Sequence, residues 1–209
     1  MMSALLKKFT HHYREGGISG LTRKTLIFGL KKLWSRDQWV IYEKTLRKAI
    51  PSQSAALARR ELGFDELVDF RYYKAVGFPD EIRRRIASGV SCHGFFEGDR
   101  LATIGWSSPG YLELDTDLRV PCPGSVGLYD FFTYSEFRSK GYYTNALAQL
   151  LATMCQAGYL KACIAVAPNN SPSIKGIERV GFRRALQVTR RRRLGITEIV
   201  EEEHVQGGS

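Results

Sequence analysis

Apolar positions change period several times along the chain, and each change marks an element. Over Leu21 to Trp34, Leu26, Ile27, Leu30, Leu33 and Trp34 recur near helical spacing, with Arg23, Lys24, Lys31 and Lys32 opposite. That pattern predicts a basic amphipathic helix. Gln38 to Leu46 is short and rich in β-branched and aromatic residues, as a strand would be, and Pro51-Ser52-Gln53-Ser54 reads as a linker. Pro79 to Ile86 has helical spacing. Val90 to Phe96 and Leu101 to Trp106, joined by Glu97-Gly98-Asp99-Arg100, predict an antiparallel hairpin. Three prolines and two glycines in 107–124 predict a loop or an irregular strand pair.

The second half is more regular. Ser125 to Thr133 is a strong strand ending in a glycine-bearing turn, and Tyr142 to Leu160 then runs 19 residues without a charge. Thr144, Asn145, Gln149, Thr153 and Gln156 interrupt that run, and Leu147, Leu150, Leu151 and Met154 fall at i, i+3, i+4 and i+7. The segment is expected to be a buried helix, not a membrane span. Lys161 to Val166 is short and apolar on both faces, as a central strand is. Pro168-Asn169-Asn170 leads into a helix with Ser171 expected as N-cap, Pro172 at the first helical position and Gly181 as terminator. A final strand is expected over 182–194, and a disordered tail from Glu201. The order of elements predicts an α/β chain with a mixed sheet, divided into a basic extension (1–55), a folded domain (56–200) and a tail (201–209).

Charge sharpens this division. The 209 residues carry 31 Lys plus Arg against 21 Asp plus Glu, a net charge of +10. Thirteen basic and three acidic residues lie in 1–60, and the rest of the chain is balanced at 18 of each. A balanced body is unlike a phosphate-tracking surface, so no nucleic-acid partner is expected. The excess on residues 1–50 suits peripheral contact with an anionic membrane or an acidic partner, or else a helix docked on the body. Cys92, Cys122, Cys155 and Cys163 form no CxxC pair, and His11, His12, His93 and His204 have no metal spacing. A reduced, cytoplasmic chain without a metal is expected. Lys7 and Lys8 follow Met1 to Leu6 directly, which predicts no secretory signal.

The turn before the uncharged helix carries the chemistry. Its Glu136-Phe137-Arg138-Ser139-Lys140-Gly141-Tyr142-Tyr143-Thr144 sets a glycine and two cations where a helix start exposes unpaired N–H groups, an arrangement that favours an anion. About 30 residues on, Asn170 and Ser173 open a helix that ends in Gly181-Phe182. Here the chain resembles the GNAT superfamily of acyl-CoA-dependent N-acetyltransferases. The pyrophosphate pattern R/Q-x-x-G-x-G/A falls on Arg138, Gly141 and Tyr143, and the later Asn, small residue and Gly-Phe fall on Asn170, Ser173, Gly181 and Phe182.

The resemblance implies a GNAT fold in which two parallel strands part and acetyl-CoA, as co-substrate, lies between them. Backbone groups of Phe131, Phe132 and Thr133 would pair with its pantetheine arm. Arg138, Ser139, Lys140, Gly141, Tyr142, Tyr143 and Thr144 would hold its phosphates, with Asn170 and Ser173 beside it. Asp130 would be the general base for a primary-amine acceptor, an amino sugar of cell-surface polysaccharide or another small molecule. Glu113, Asp115 and Asp117 would either line the acceptor pocket or form a wet strand face. The run Arg190 to Arg193 would either meet the adenosine phosphate or face solvent, and His93 is expected in the core or at its rim. Two positions depart from the family pattern. Tyr143 stands where a Gly or Ala is usual, its ring expected to pack outward, and Ile177 stands where many relatives place a tyrosine that protonates the departing thiolate. Tyr129 or Tyr134 are alternative hydroxyls. A non-catalytic, GNAT-fold binding or membrane-associated module is the second reading the departures leave open.

Overall fold

A computed structural model describes residues 34–46, 57–69, 79–115, 117–193 and 196–203. The expected basic helix of the extension lies outside these residues, except that Trp34 opens a strand. Eight strands and four α-helices are described: β1 (Trp34–Thr45), β2 (Ala58–Leu62), α1 (Phe64–Asp69), α2 (Pro79–Ala87), β3 (Ser91–Glu97), β4 (Arg100–Asp115), β5 (Leu118–Thr133), α3 (Tyr142–Gln156), β6 (Lys161–Val166), α4 (Ser171–Arg179), β7 (Arg183–Arg193) and β8 (Ile196–Glu203). A 3₁₀ turn, Ser135–Phe137, links β5 towards α3. No described helix is long and apolar enough to cross a membrane. The described residues form two compact units, one of 39–187 and one of 34–38 with 188–202.

In the larger unit the strand order is β2-β3-β4-β5-β6-β1. β5 and β6 run parallel, and β2/β3, β3/β4, β4/β5 and β1/β6 run antiparallel. The strand expected within the extension is therefore part of the body's sheet, with Val40 opposite Val166 and Thr45 opposite Lys161. The physical reason is burial: Val40, Ile41 and Tyr42 are buried in succession, which only a strand covered on both faces can sustain.

Of the loop or irregular strand pair expected over 107–124, the structure has the strand pair, the outer half of a long hairpin in which β4 and β5 have 16 residues each. The register shift at Pro109/Tyr111 leaves Pro123 of β5 in a bulge, which is where a sheet tolerates proline, and a second shift follows at Glu113/Asp115. β8, which the sequence reading lacked, carries the chain to Glu203, past the expected start of the tail.

α3 lays Ala146, Leu147, Leu150, Leu151 and Met154 into the main core with Leu128, Ile164 and Ile177, as its spacing requires. It stops at Gln156, four residues before the expected end, where Tyr159 N–H returns to the Met154 carbonyl at 3.1 Å. At α4 the cap is Asn170, not Ser171: its side chain accepts from Ser173 N–H at 3.3 Å, and Pro172 sits inside the first turn. Both residues are good caps, and Asn170 takes the role because it lies one residue before the first helical position.

The smaller unit has its own buried pair. Arg190 is 3% exposed and donates through Nε and Nη2 to Asp37 Oδ2 at 3.1 and 2.9 Å, and Gln38 Nε2 donates to Thr189 Oγ1 at 3.2 Å. Arg191 pairs with Glu198 at 3.7 Å. The basic run 190–193 is thus not a simple solvated face, because Asp37 draws Arg190 inward.

Candidate active site

Pairing between β5 and β6 runs from Ser125↔Lys161 to Leu128↔Ile164 and stops, although β5 continues to Thr133 and β6 to Val166. Tyr129 to Thr133 therefore have no partner strand on that side. A local fault in β5 coincides with the opening. Its register against β4 passes from Trp106↔Tyr129 to Ile104↔Phe132, so three steps on β5 face two on β4, and Asp130 and Phe131 have no opposite residue. Asp130 has φ 54, a left-handed backbone that a non-glycine residue adopts at a cost unless its surroundings hold it there. The bulge turns the Phe131 ring over Gly105, where an added Cβ would collide with it.

A cavity of about 370 Å³ fills the opening. It is lined by apolar residues such as Phe131, Ile164, Val166 and Ile177 and by polar ones including Arg85, Glu113, Asp115, Asp130, Asn170 and Ser173, with Tyr143 and Tyr129 among them. Among the expected site residues, Asp130, Phe131, Tyr143, Asn170 and Ser173 meet here; Phe132 and Thr133 do not line the cavity. Thr133 is opposite Thr103 on β4, and its carbonyl accepts from Arg138 Nε at 3.0 Å. Asn170 faces the cavity while its Oδ1 caps α4.

The turn before α3 has a left-handed backbone at two residues. Gly141 is the N-cap of α3 at φ 76, with no side-chain cap, and Ser139 is also left-handed at φ 62. Among the described residues, nothing beyond its chain neighbours lies within 4 Å of a Cβ placed on Gly141. The first amides of α3, those of Tyr142, Tyr143 and Thr144, are the donors a helix start leaves for an anion. Arg138 and Lys140 are exposed beside it, Lys140 Nζ standing 5.5 Å from the Phe137 ring centre and 5.9 Å from that of Tyr142. Tyr142 itself donates to Glu97. These groups fit the diphosphate of a coenzyme A thioester, and the parted strands fit its extended pantetheine arm.

One expectation about Tyr143 fails. Its ring does not pack outward but enters the cavity wall, edge-on to Phe131 with centroids 5.6 Å apart, because Gly176 leaves room for it.

The acidic part of the cavity is built on arginines that sequence reasoning missed. Arg85 donates through Nη1 to Asp130 Oδ2 at 2.8 Å and through Nε to Glu81 at 3.0 Å and Glu113 at 3.1 Å. Its guanidinium lies 5.0 and 5.2 Å from the ring centres of Trp106 and Tyr129. Glu113, whose side chain is 2% exposed, also receives Arg84 at 3.0 Å and Arg119 at 3.3 Å. It is therefore a buried charge hub, not a wet strand face. Asp115 lines the cavity, and Asp117 stays exposed outside it. Burial opposes the charge on Arg85, but Asp130 and Glu113 override it and hold its pKa above the ordinary arginine value. The one legible signal was Arg85 at three residues past Ile82 on the apolar stripe of α2, where a cation must find buried partners.

Tyr129 has its hydroxyl buried without a hydrogen-bond partner among the described residues, and burial, then the Glu113 carboxylate, push its pKa up. His93 lies outside the cavity. It contacts Ser107 Oγ at 2.8 Å and Arg59 at 3.2 Å, and burial with the Arg59 charge lowers its pKa to about 4, so it is a neutral core residue.

Glu113→Gln removes the anion shared by three guanidiniums. A buried pair broken from one side costs on the order of 3 kcal/mol, an upper figure here because Arg84 and Arg119 are about a third exposed. The melting temperature is expected to fall by roughly 5 to 10 °C, and an unchanged transition in calorimetry would mean that water already neutralises the cluster.

No protein-family model matches the sequence, and no curated protein matches it significantly. Solved structures do match. A GNAT-family protein from Novosphingobium aromaticivorans aligns with a TM-score of 0.54 over 81% of this chain at 15% identity. An acetyltransferase of the GNAT family from Colwellia psychrerythraea aligns at 0.52 over 86%, also at 15% identity. The chain has the GNAT fold. A GCN5-related glucosamine N-acetyltransferase region of a fungal multi-domain β-N-acetylglucosaminidase is similar as well, with a TM-score of 0.52, 13% identity and 86% of this chain covered. The chain spans 66%, 61% and 22% of those three structures. In the GNAT fold the parted parallel strands correspond to β5 and β6.

Proposed function

We propose that the protein transfers an acetyl group from acetyl-CoA to a primary amine. The observation that carries this reading is the end of β5–β6 pairing at Leu128↔Ile164, beside a cavity and the open N-terminus of a 15-residue helix. Acetyl-CoA, when bound, supplies an activated thioester. The chain's own groups do the rest. The α3 amides, Arg138, Ser139, Lys140 and Gly141 hold the phosphates, and the unpaired edge of β5 at Phe131 orients the acyl arm.

Glu113, Asp115 and Asp130 make the acceptor part of the cavity acidic, which attracts an ammonium. Such a group must lose a proton to attack, and Asp130, held by Arg85 at 2.8 Å, is the carboxylate placed at the strand opening to accept it, directly or through water. Within the amines, the polar acceptor part favours a small hydroxylated one such as an amino sugar, and the glucosamine named for the fungal neighbour supports the same class.

A coenzyme A release assay tests the reading, with free amino sugars, nucleotide amino sugars, polyamines and lysine peptides as acceptors. Thiol release with an amino sugar is the expected result. Binding of acetyl-CoA without release from any amine would favour the non-catalytic module instead.

A further inference from the structure

Cys122 and Cys163 are distant in the chain, and a fold in the outer hairpin brings their side chains together. Between Pro109↔Val126 and Tyr111↔Pro121, Gly110 alone on β4 faces Cys122 to Ser125 on β5, and Gly124 within that bulge is left-handed at φ 71. Beyond the bulge the hairpin leans over the sheet, so that a Cβ on Gly127 would collide with the Tyr111 carbonyl. Gly127 is opposite Cys163 on β6, and Pro121, next to Cys122, is opposite Tyr111. The two thiols therefore meet over β6, each the other's hydrogen-bond partner.

Both are free thiols and both are buried, Cys122 at 9% and Cys163 at 2% exposed. Cys122 Sγ lies 3.6 Å from the Val120 carbonyl oxygen, Cys163 Sγ lies 3.9 Å from Glu43 Oε1, and Lys161 Nζ pairs with the same carboxylate at 2.5 Å. The hydrogen bond from Cys163 lowers the pKa of Cys122, and the Lys161 ammonium adds to that against burial and the Glu43 charge. Cys122 and burial raise the pKa of Cys163. An unequal pair of this kind holds a nucleophile and a second thiol placed to resolve its oxidised form. Neither residue lines the cavity.

We propose that Cys122 and Cys163 are a modification site, forming a reversible disulfide with a peroxide as oxidant and so pinning the outer half of the hairpin to β6. The Cys122 thiolate attacks one peroxide oxygen, the O–O bond breaks, and the other oxygen leaves as hydroxide and becomes water, with Cys122 now a sulfenic acid. The Cys163 sulfur then attacks the Cys122 sulfur, the S–O bond breaks, and that oxygen leaves as water with the Cys163 proton. Two thiols and one hydrogen peroxide become one disulfide and two waters. The outer hairpin carries Glu113 and Asp115, and β6 carries Ile164 and Val166, all of which line the cavity, so the bond would tie two of its lining elements together. Nothing in this chemistry requires acetyl transfer.

Peptide mapping of the full chain, treated with hydrogen peroxide and then denatured and alkylated, reads the bond directly. Trypsin places the four cysteines on separate peptides, Cys92 within 86–100, Cys122 within 120–138, Cys155 within 141–161 and Cys163 within 162–175. The expected result is 120–138 linked to 162–175, lighter by two hydrogens than the reduced peptides together and separated by dithiothreitol. Amide hydrogen exchange over 107–124 should slow on oxidation and recover on reduction. Cys122→Ser exchanges one small side chain for another and should leave 162–175 fully alkylated at the same dose. Full alkylation of both thiols after a dose that oxidises the half-buried Cys155 would overturn the pair, as would a link from either to Cys92 or Cys155. A linked pair with unchanged exchange over 107–124 would overturn the clamp.

Discussion

Asp130→Asn is expected to lower turnover by about 10² to 10⁴, the range a positioned base contributes, while acetyl-CoA binding stays as it is. The substitution suits the site because Asp130 sits at φ 54, and asparagine tolerates the left-handed region better than almost any residue but glycine. Alanine there would add backbone strain and blur the result. Asparagine can still accept from Arg85 through its amide oxygen, and Arg85 keeps Glu81 and Glu113, so the bulge should persist. On the proposed reading the phosphates meet the start of α3, so their binding should not sense the change. Steady-state kinetics with a verified acceptor decide the matter. An Asp130→Asn protein as active as the parent would move the base elsewhere, to a water chain or to Glu113 despite its three arginines.

Gly141→Asp should abolish the thermal stabilisation that acetyl-CoA gives. At 100 times the dissociation constant, ligand adds about 2.7 kcal/mol, which for a chain of this size is roughly 5 to 10 °C in melting temperature. The variant should fold. Aspartate is among the side chains that accept φ near 76, no described residue beyond the chain neighbours stands within 4 Å of the new Cβ, and a carboxylate at the N-cap can satisfy the first amides of α3. It does so by occupying the place of the ligand's phosphate. Unliganded protein should therefore melt no lower than the parent, and only the ligand-dependent shift should vanish. A shift retained in Gly141→Asp would show that the phosphates bind away from the start of α3.

Much of the larger unit was legible along the chain. The 3.6-residue spacing of Leu147, Leu150, Leu151 and Met154 marked α3, and the same residues line the core. Asn170 to Phe182 announced a helix with its cap and stop, off by one residue at the cap. The hairpin of β3 and β4 followed from its turn. β1 was mistaken for part of an extension because a strand's place in a sheet depends on its partner, and Lys161 to Val166 lies more than 100 residues away. Over 107–124 the prolines left a loop and an irregular strand pair both open, because they argue against pairing locally, and only the alignment of both strands selects the pair with its bulges.

The candidate site divides along the same line. The turn proposed to bind an anion needs only residues next to one another: a glycine that can turn left-handed, two cations, and a helix start, all within 138–144. The sequence by itself determined that much, because backbone conformation and helix-end electrostatics act over a few residues. The tertiary structure alone decided which carboxylates face the cavity and what holds them. Asp130 meets Arg85 across 45 positions, Glu113 collects Arg84, Arg85 and Arg119, and the Tyr143 ring turns inward because Gly176 on another helix makes space. Those outcomes rest on a single extra residue in β5 and on contacts between distant elements, and side-chain packing of that range has no period or local signal in the chain.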